Sequence, residues 1–270
     1  MENQILNWFS VHKNIMMKCH IEILSLGIII SLMLFSLSCS RNSPEVVNNN
    51  PTIKSLTPLA VYNLDIPEPS GVAYNSKNNS FMVVSDARQD IFIIDSVGTV
   101  KGTIPTSSSD LEGITLSQTC DTIYVVEETK KLVASYSAAG IFLNSFSVNV
   151  ATNPAHALEG ITRNNTNGHL IVLNEKLPCM ILEYNDSSEV QRKEINYSID
   201  ISDIYFEEEA NCYWLVSHES RKIIKLDSAF NLLSEWSVPI VQAEGITIVN
   251  GRIYVVSDSE SKLYVFQKPN

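Results

Sequence analysis

From residue 56 onward the hydrophobic positions fall in short runs, and no stretch shows the longer period of an amphipathic helix. Phe81-Met82-Val83-Val84, Ile123-Tyr124-Val125-Val126, Leu170-Ile171-Val172-Leu173, Tyr213-Trp214-Leu215-Val216 and Ile253-Tyr254-Val255-Val256 are β-branched or aromatic in character. They are bounded by Asn, Asp, Ser and Gly, as hairpin-linked strands require. A second apolar run follows each one across a polar turn, as in Ile91-Phe92-Ile93-Ile94 or Leu263-Tyr264-Val265-Phe266. Weaker outer strands come next, for example Ile141 to Val148 and Leu232 to Val238.

A recurring phrase sets these runs in register. It reads Pro69-Ser70-Gly71-Val72-Ala73, Leu111-Glu112-Gly113-Ile114-Thr115, Leu158-Glu159-Gly160-Ile161-Thr162, Ile201-Ser202-Asp203-Ile204-Tyr205 and Ala243-Glu244-Gly245-Ile246-Thr247. The third residues are 42, 47, 43 and 42 positions apart. Four short strands at a period of this size are the mark of a β-propeller. The last repeat stops after its third strand, and Leu56 to Leu64 precedes the first phrase with no blade of its own. An N-terminal strand that fills the gap would remove an exposed sheet edge. The prediction is an all-β fold: one five-bladed β-propeller over residues 56–269, closed by an N-terminal strand.

The first 55 residues have a different character. Ile21 to Leu37 is apolar apart from Glu22, Ser25, Ser31 and Ser36, with Lys13 and Lys18 before it and Leu37-Ser38-Cys39 at its end. This predicts a lipoprotein signal peptide over 1–38, with Cys39 as the lipidated residue. The run is also close to spanning length, so an uncleaved anchor is the competing reading. Residues 39–55, polar and Asn-rich, read as a flexible tether. Either of these, or plain secretion, puts the propeller outside the cytoplasm; the lipoprotein reading places it in the bacterial cell envelope, lipid-anchored to a membrane.

The formal net charge of −11 gives no electrostatic footprint for nucleic acid. It favours cations, basic partners or neutral ligands. Beyond Cys19 and Cys39 there are three cysteines, Cys120, Cys179 and Cys212, in turns too far apart to pair. No zinc-type or redox spacing occurs.

Candidate chemistry gathers at one end of the propeller. The innermost strand of each blade lines the channel and the second runs back, so the start of one and the end of the other share a face. The first positions carry Ser70, Glu112, Glu159, Ser202 and Glu244; the second carry Asp86, Glu128, Glu175, His218 and Asp258. Glu112, Glu159, Glu244, Glu128, Glu175, Asp86 and Asp258 are therefore candidate metal ligands. Crowded carboxylates raise one another's pKa unless a cation neutralises them, and an all-oxygen set suits calcium better than zinc or iron. The competing reading is that these acids recur for folding or are simply solvated.

The Glu-Gly-Ile phrases, with Val126-Glu127-Glu128 and Ser217-His218-Glu219-Ser220, resemble the SdiA-regulated family of bacterial envelope proteins. That resemblance spans roughly residues 57–268. It implies a five-bladed propeller akin to NHL repeats with a calcium ion in a shared site, and it implies no activity. Asp203 in a glycine slot, with Ser70 and Ser202 in glutamate slots, points to a lopsided site on blades two, three and five.

Two functions follow as expectations. The first is a non-enzymatic binding module for an envelope protein, peptide or glycan. The alternative is a metal-dependent hydrolase, lactonase-like or phytase-like, with Glu112 or Glu159, Asn174 and Asp258 around the metal and His218 or Glu175 as base. Arg88, Lys130, Lys176 and Arg221 lie in turns on the same face and would serve a phosphoester. No activated serine accompanies His156, His169 or His218.

Overall fold

A computed structural model describes residues 53–151 and 156–269. Among these residues the strands form five sheets. Blade one comprises β3 (Pro69–Asn75), β4 (Ser80–Ser85), β5 (Arg88–Ile94) and β6 (Val100–Ile104). Blade two comprises β7 (Leu111–Leu116), β8 (Thr122–Glu127), β9 (Leu132–Ser137) and β10 (Phe142–Ser147). Blade three comprises β11 (Leu158–Arg163), β12 (Leu170–Asn174), β13 (Met180–Asn185) and β14 (Ser188–Glu194). Blade four holds β15 (Asp203–Glu207), β16 (Cys212–Ser217), β17 (Lys222–Leu226) and β18 (Leu232–Ser237).

Blade five holds β19 (Ala243–Val249), β20 (Arg252–Ser257) and β21 (Lys262–Gln267), and its outer strand is β2 (Ala60–Asn63). The β2–β21 ladder, Ala60 opposite Val265 and Asn63 opposite Lys262, joins the two ends of the ring. One strand was not foreseen. β1 (Lys54–Ser55) pairs in parallel with Trp236 and Ser237 as a fifth strand on blade four. The expected tether thus overruns the fold by these two residues, because β18 presents an unpaired outer edge that a short polar segment can join.

The inner strands β3, β7, β11, β15 and β19 pack in a closed ring. Five apolar clusters fill the wedges between neighbouring blades. Ala73, Met82 and Val84 of blade one meet Ile114, Leu116 and Ile123 of blade two, for example. In the wedge of blades four and five, Trp214 stacks on Trp236 with ring centroids 5.4 Å apart. Every blade buries a face on each side, which explains the almost unbroken apolar β4, β16 and β20.

The inner strands come so close at the axis that side chains are excluded there. A Cβ on Gly113 would stand 2.5 Å from the Glu159 carbonyl oxygen, and one on Gly160 would stand 2.5 Å from Asp203 Cα. Glycine is what lets consecutive blades touch backbone to backbone. Cys120, Cys179 and Cys212 are buried and free, as their spacing implied. The leader and Cys39 lie outside the described residues.

Candidate metal centre at the channel mouth

The recurring phrase bends the strand that carries it. In blades one, two, three and five the inner ladder slips where the phrase begins: Leu111 pairs with Glu127, yet the next pair is Ile114 with Val125. Two residues, Glu112 and Gly113, thus oppose Val126 alone. Such a bulge re-aims a side chain and strengthens the local twist. Here it turns the glutamate toward the mouth, while the glycine allows the close approach of the next blade.

The second group of acids is held by one repeated hydrogen bond. The N–H groups of Asp86, Glu128, Glu175 and Asp258 donate to the carbonyls of Glu68, Asp110, Ala157 and Gln242, at 3.2, 3.1, 2.7 and 3.0 Å. Each acid is the first residue beyond its second strand, so the bond fixes it at the rim.

All seven candidates meet as expected. Asp86, Glu112, Glu128, Glu159, Glu175, Glu244 and Asp258 line one cavity of about 250 Å³, with Ser70, His156, Lys176 and His218. Two groups of three carboxylates bring an oxygen from each residue within 4.8 Å of the others: Glu128, Glu159 and Glu175, and Asp86, Asp110 and Glu112. Glu244 and Asp258 line the cavity without belonging to either group.

Electrostatic strain marks the site. Burial, followed by the charges of Glu112 and Glu244, holds the Glu159 carboxyl well above the usual carboxylate range. Burial and the neighbouring Asp86 and Glu128 do the same for Glu112. Burial pushes Glu128 and Glu244 up to about 7, against the opposing hydrogen bonds of the Ala157 N–H and Ser202. Asp86 and Asp258 are raised in the same direction, by burial first and the Glu68 charge next.

Among the described residues, three cationic or potentially cationic side chains line this cavity. Lys176 Nζ lies 2.8 Å from both Glu175 and Glu219. His156 Nδ1 lies 3.2 Å from Glu175, and His218 Nδ1 lies 3.5 Å from Glu244.

Two contributors were missed from the sequence. Asp110 precedes the phrase of blade two and accepts the Thr129 backbone N–H at 2.7 Å through Oδ2. Asp200 holds the equivalent place in blade four, where its buried carboxylate accepts from Ser217 and from the Glu219 N–H and so fixes the His218 turn. The signal was present: the residue before each phrase is Glu68, Asp110, Ala157, Asp200 or Gln242, polar in four of five. Glu207, at the end of β15, is 8% exposed and accepts from the Trp214 indole at 2.8 Å and from Lys268.

Asp203 occupies the glycine slot of blade four and is buried at the axis. Its Oδ2 accepts the Ile246 N–H of blade five at 2.9 Å, while Oδ1 has no hydrogen-bond partner. Burial holds this carboxyl well above its usual range, although backbone N–H groups oppose that. A second cavity of about 220 Å³ includes Val72, Ile114, Ile161, Ile204 and Ile246 in its lining, and shares no lining residue with the acidic mouth.

With this geometry in hand, comparisons place the chain. A family model described as SdiA-regulated matches residues 64–267. No curated protein matches the sequence. Among solved structures, a Myxococcus xanthus glutaminyl cyclase is similar at 11% identity and a TM-score of 0.64, covering 80% of this chain and 97% of that one. A chain of a nidogen/laminin complex is similar at 14% identity and a TM-score of 0.53, covering 70% and 72%. At such identities the likeness is one of fold alone.

Proposed function

The chain belongs to the SdiA-regulated family, and within it we propose a calcium-binding propeller that serves as a binding module in the bacterial envelope. The observation that carries this reading is the gathering of seven carboxylates from four blades around one cavity that, among the described residues, holds one lysine, Lys176. Burial leaves several of them poorly ionised on their own, and a divalent cation is the ordinary remedy. The donor set is entirely oxygen in its closest groups, which suits a hard cation with a high ligand count. Glu128, Glu159 and Glu175 would hold the ion, with His156, Lys176 and the Ala157 N–H fixing the carboxylates from behind. Bound there, calcium would stabilise the mouth and supply a positive charge for a ligand to meet.

The ligand of such a module is an envelope protein, a peptide or a glycan, and the domain is carried at a membrane by a lipid on Cys39. Localisation tests this part: labelling with palmitate should be lost in Cys39→Ala. The metal is tested by melting the protein with calcium, with magnesium and with chelator. Calcium alone should raise the midpoint, by RT ln(1 + [L]/Kd), and Glu159→Gln should remove the rise. An unchanged midpoint in wild type would end the calcium reading.

A second reading, a metal-dependent hydrolase, is favoured by one feature: His218 stands in the acidic cavity beside Glu244. An imidazole next to a metal-bound water could act as general base. Turnover of lactone or phosphoester substrates with added calcium, lost in His218→Ala, would replace the binding module by this alternative.

A further inference from the structure

We propose that the cavity at the opposite end of the channel binds a neutral, monosaccharide-sized molecule rich in hydroxyl groups. The inner strands run away from the acidic mouth, and their later residues line this cavity together with turns that follow them, at Ser76, Ser117 and Glu208. All five blades contribute, and no residue is shared with the acidic mouth, so the site does not rest on the calcium reading. Its volume of about 220 Å³ is far more than one water needs and less than a drug-sized ligand occupies.

Three hydroxyls in its lining have no partner among the described residues. Thr247 is 2% exposed, yet its hydroxyl makes no hydrogen bond, and neither do those of Thr115 and Tyr205. Their neighbours are committed by contrast. Thr162, at the same repeat position, accepts the Phe206 N–H of the next blade at 3.1 Å, and the Tyr74 hydroxyl donates to Asn79 at 2.6 Å. Burial, and next the Glu207 charge, push the Tyr205 hydroxyl up to about 12, so it stays protonated as a donor. Buried polar groups are rarely left unsatisfied, and free hydroxyls that line a cavity point to a molecule that fills it.

The backbone adds further partners. β3, β7, β11, β15 and β19 each end a sheet, so no strand pairs with their edges toward the axis. Charge selects a neutral ligand. Among the described residues the lining holds one cation, Arg163, and one carboxylate, Glu208, and neither forms an ion pair. A sugar carries hydroxyls around its rim and C–H bonds on its face. The rim matches the free hydroxyls and strand edges, and the face matches Tyr205, Ile204 and Ile246; water matches only the first.

The test is calorimetric titration of the full chain, in detergent buffer, with D-glucose, D-galactose, D-mannose and N-acetyl-D-glucosamine in turn. At least one should bind, and Tyr205→Phe and Thr247→Val, which remove a hydroxyl and keep the shape, should each weaken it about tenfold. Because these hydroxyls have no partner in the protein, the sugar-free urea midpoint of each variant should not fall. A lowered midpoint in either would make its hydroxyl structural and overturn the proposal. Silence with all four sugars would overturn it as well, and so would heat from glycine or alanine alone, which would mark a site for a zwitterion between Arg163 and Glu208. Sugar binding unchanged in both variants would place the sugar elsewhere and end the case for this cavity.

Discussion

Asp203 Oδ2 accepts the backbone N–H of Ile246 at 2.9 Å, so the one carboxylate in a glycine slot ties blade four to blade five across the axis. Both partners are 1% exposed. Asp203→Gly would strand the Ile246 N–H in a dry interior, a loss of about 1–3 kcal/mol. Asp203→Asn retains an acceptor of the same shape, and its stability should stay close to wild type. Urea denaturation of the two variants checks the difference, and equal losses in both would show that the hydrogen bond contributes nothing.

Gly113 is a position in the acidic ring where a methyl group has no room. The Cβ of Gly113→Ala would press on the Glu159 carbonyl at 2.5 Å, and both partners are backbone. Overpacking of this sort costs about 1–3 kcal/mol. Because Glu159 itself would be displaced, calcium affinity should fall along with the denaturation midpoint. A variant with unchanged affinity would separate the ring from the site.

The pH dependence of the metal-free protein has a definite sign. Glu128 and Glu244, raised to about 7 from 4.5, bind protons in the folded state that the unfolded chain has already released. Their contribution is therefore complete below about pH 4.5 and is lost as pH rises through about 7. In chelator, thermal midpoints should decline over that interval, and saturating calcium should flatten the decline. A midpoint that rises with pH in chelator would contradict the assignment.

Glu207 anchors the far face of blade four. Its carboxylate is buried, yet the hydrogen bonds from Lys268, Trp214 and Cys212 outweigh burial and hold it below the usual range. Glu207→Ala should cost about 1–3 kcal/mol, mostly by leaving the buried Trp214 indole N–H without a partner. Glu207→Gln, which can still accept from the indole, should recover much of that loss. Near-UV dichroism and a denaturation curve for each variant provide the measurement.

The fold was legible because it is a repetition. The spacing of Gly71, Gly113, Gly160 and Gly245 and the alternation of short apolar runs admit few architectures, and the strand that closes the ring followed from counting. The lining of the mouth was legible in part, since Glu112, Glu159 and Glu244 share a repeat position, as do Asp86, Glu128, Glu175 and Asp258, whereas Asp110 and Asp200, one residue before their phrases, were missed. β1 was not legible, because Lys54 and Ser55 carry no strand pattern and are ordered only by the open edge at Trp236. Nothing local separates Glu207 from Glu208 and Glu209; the fold alone sets Trp214 and Lys268 against it.

The sequence alone determined periodicity, strand order and which acids face the mouth, all properties of local pattern multiplied by five. Only the tertiary structure decided how those acids divide. Whether Glu128 belongs with Glu159 or with Asp86, and whether Asp110 joins them, depends on distances across blades that no single repeat encodes. Asp203 shows the same limit: its departure from glycine was visible, but its bond to Ile246 exists only once five strands meet at one axis.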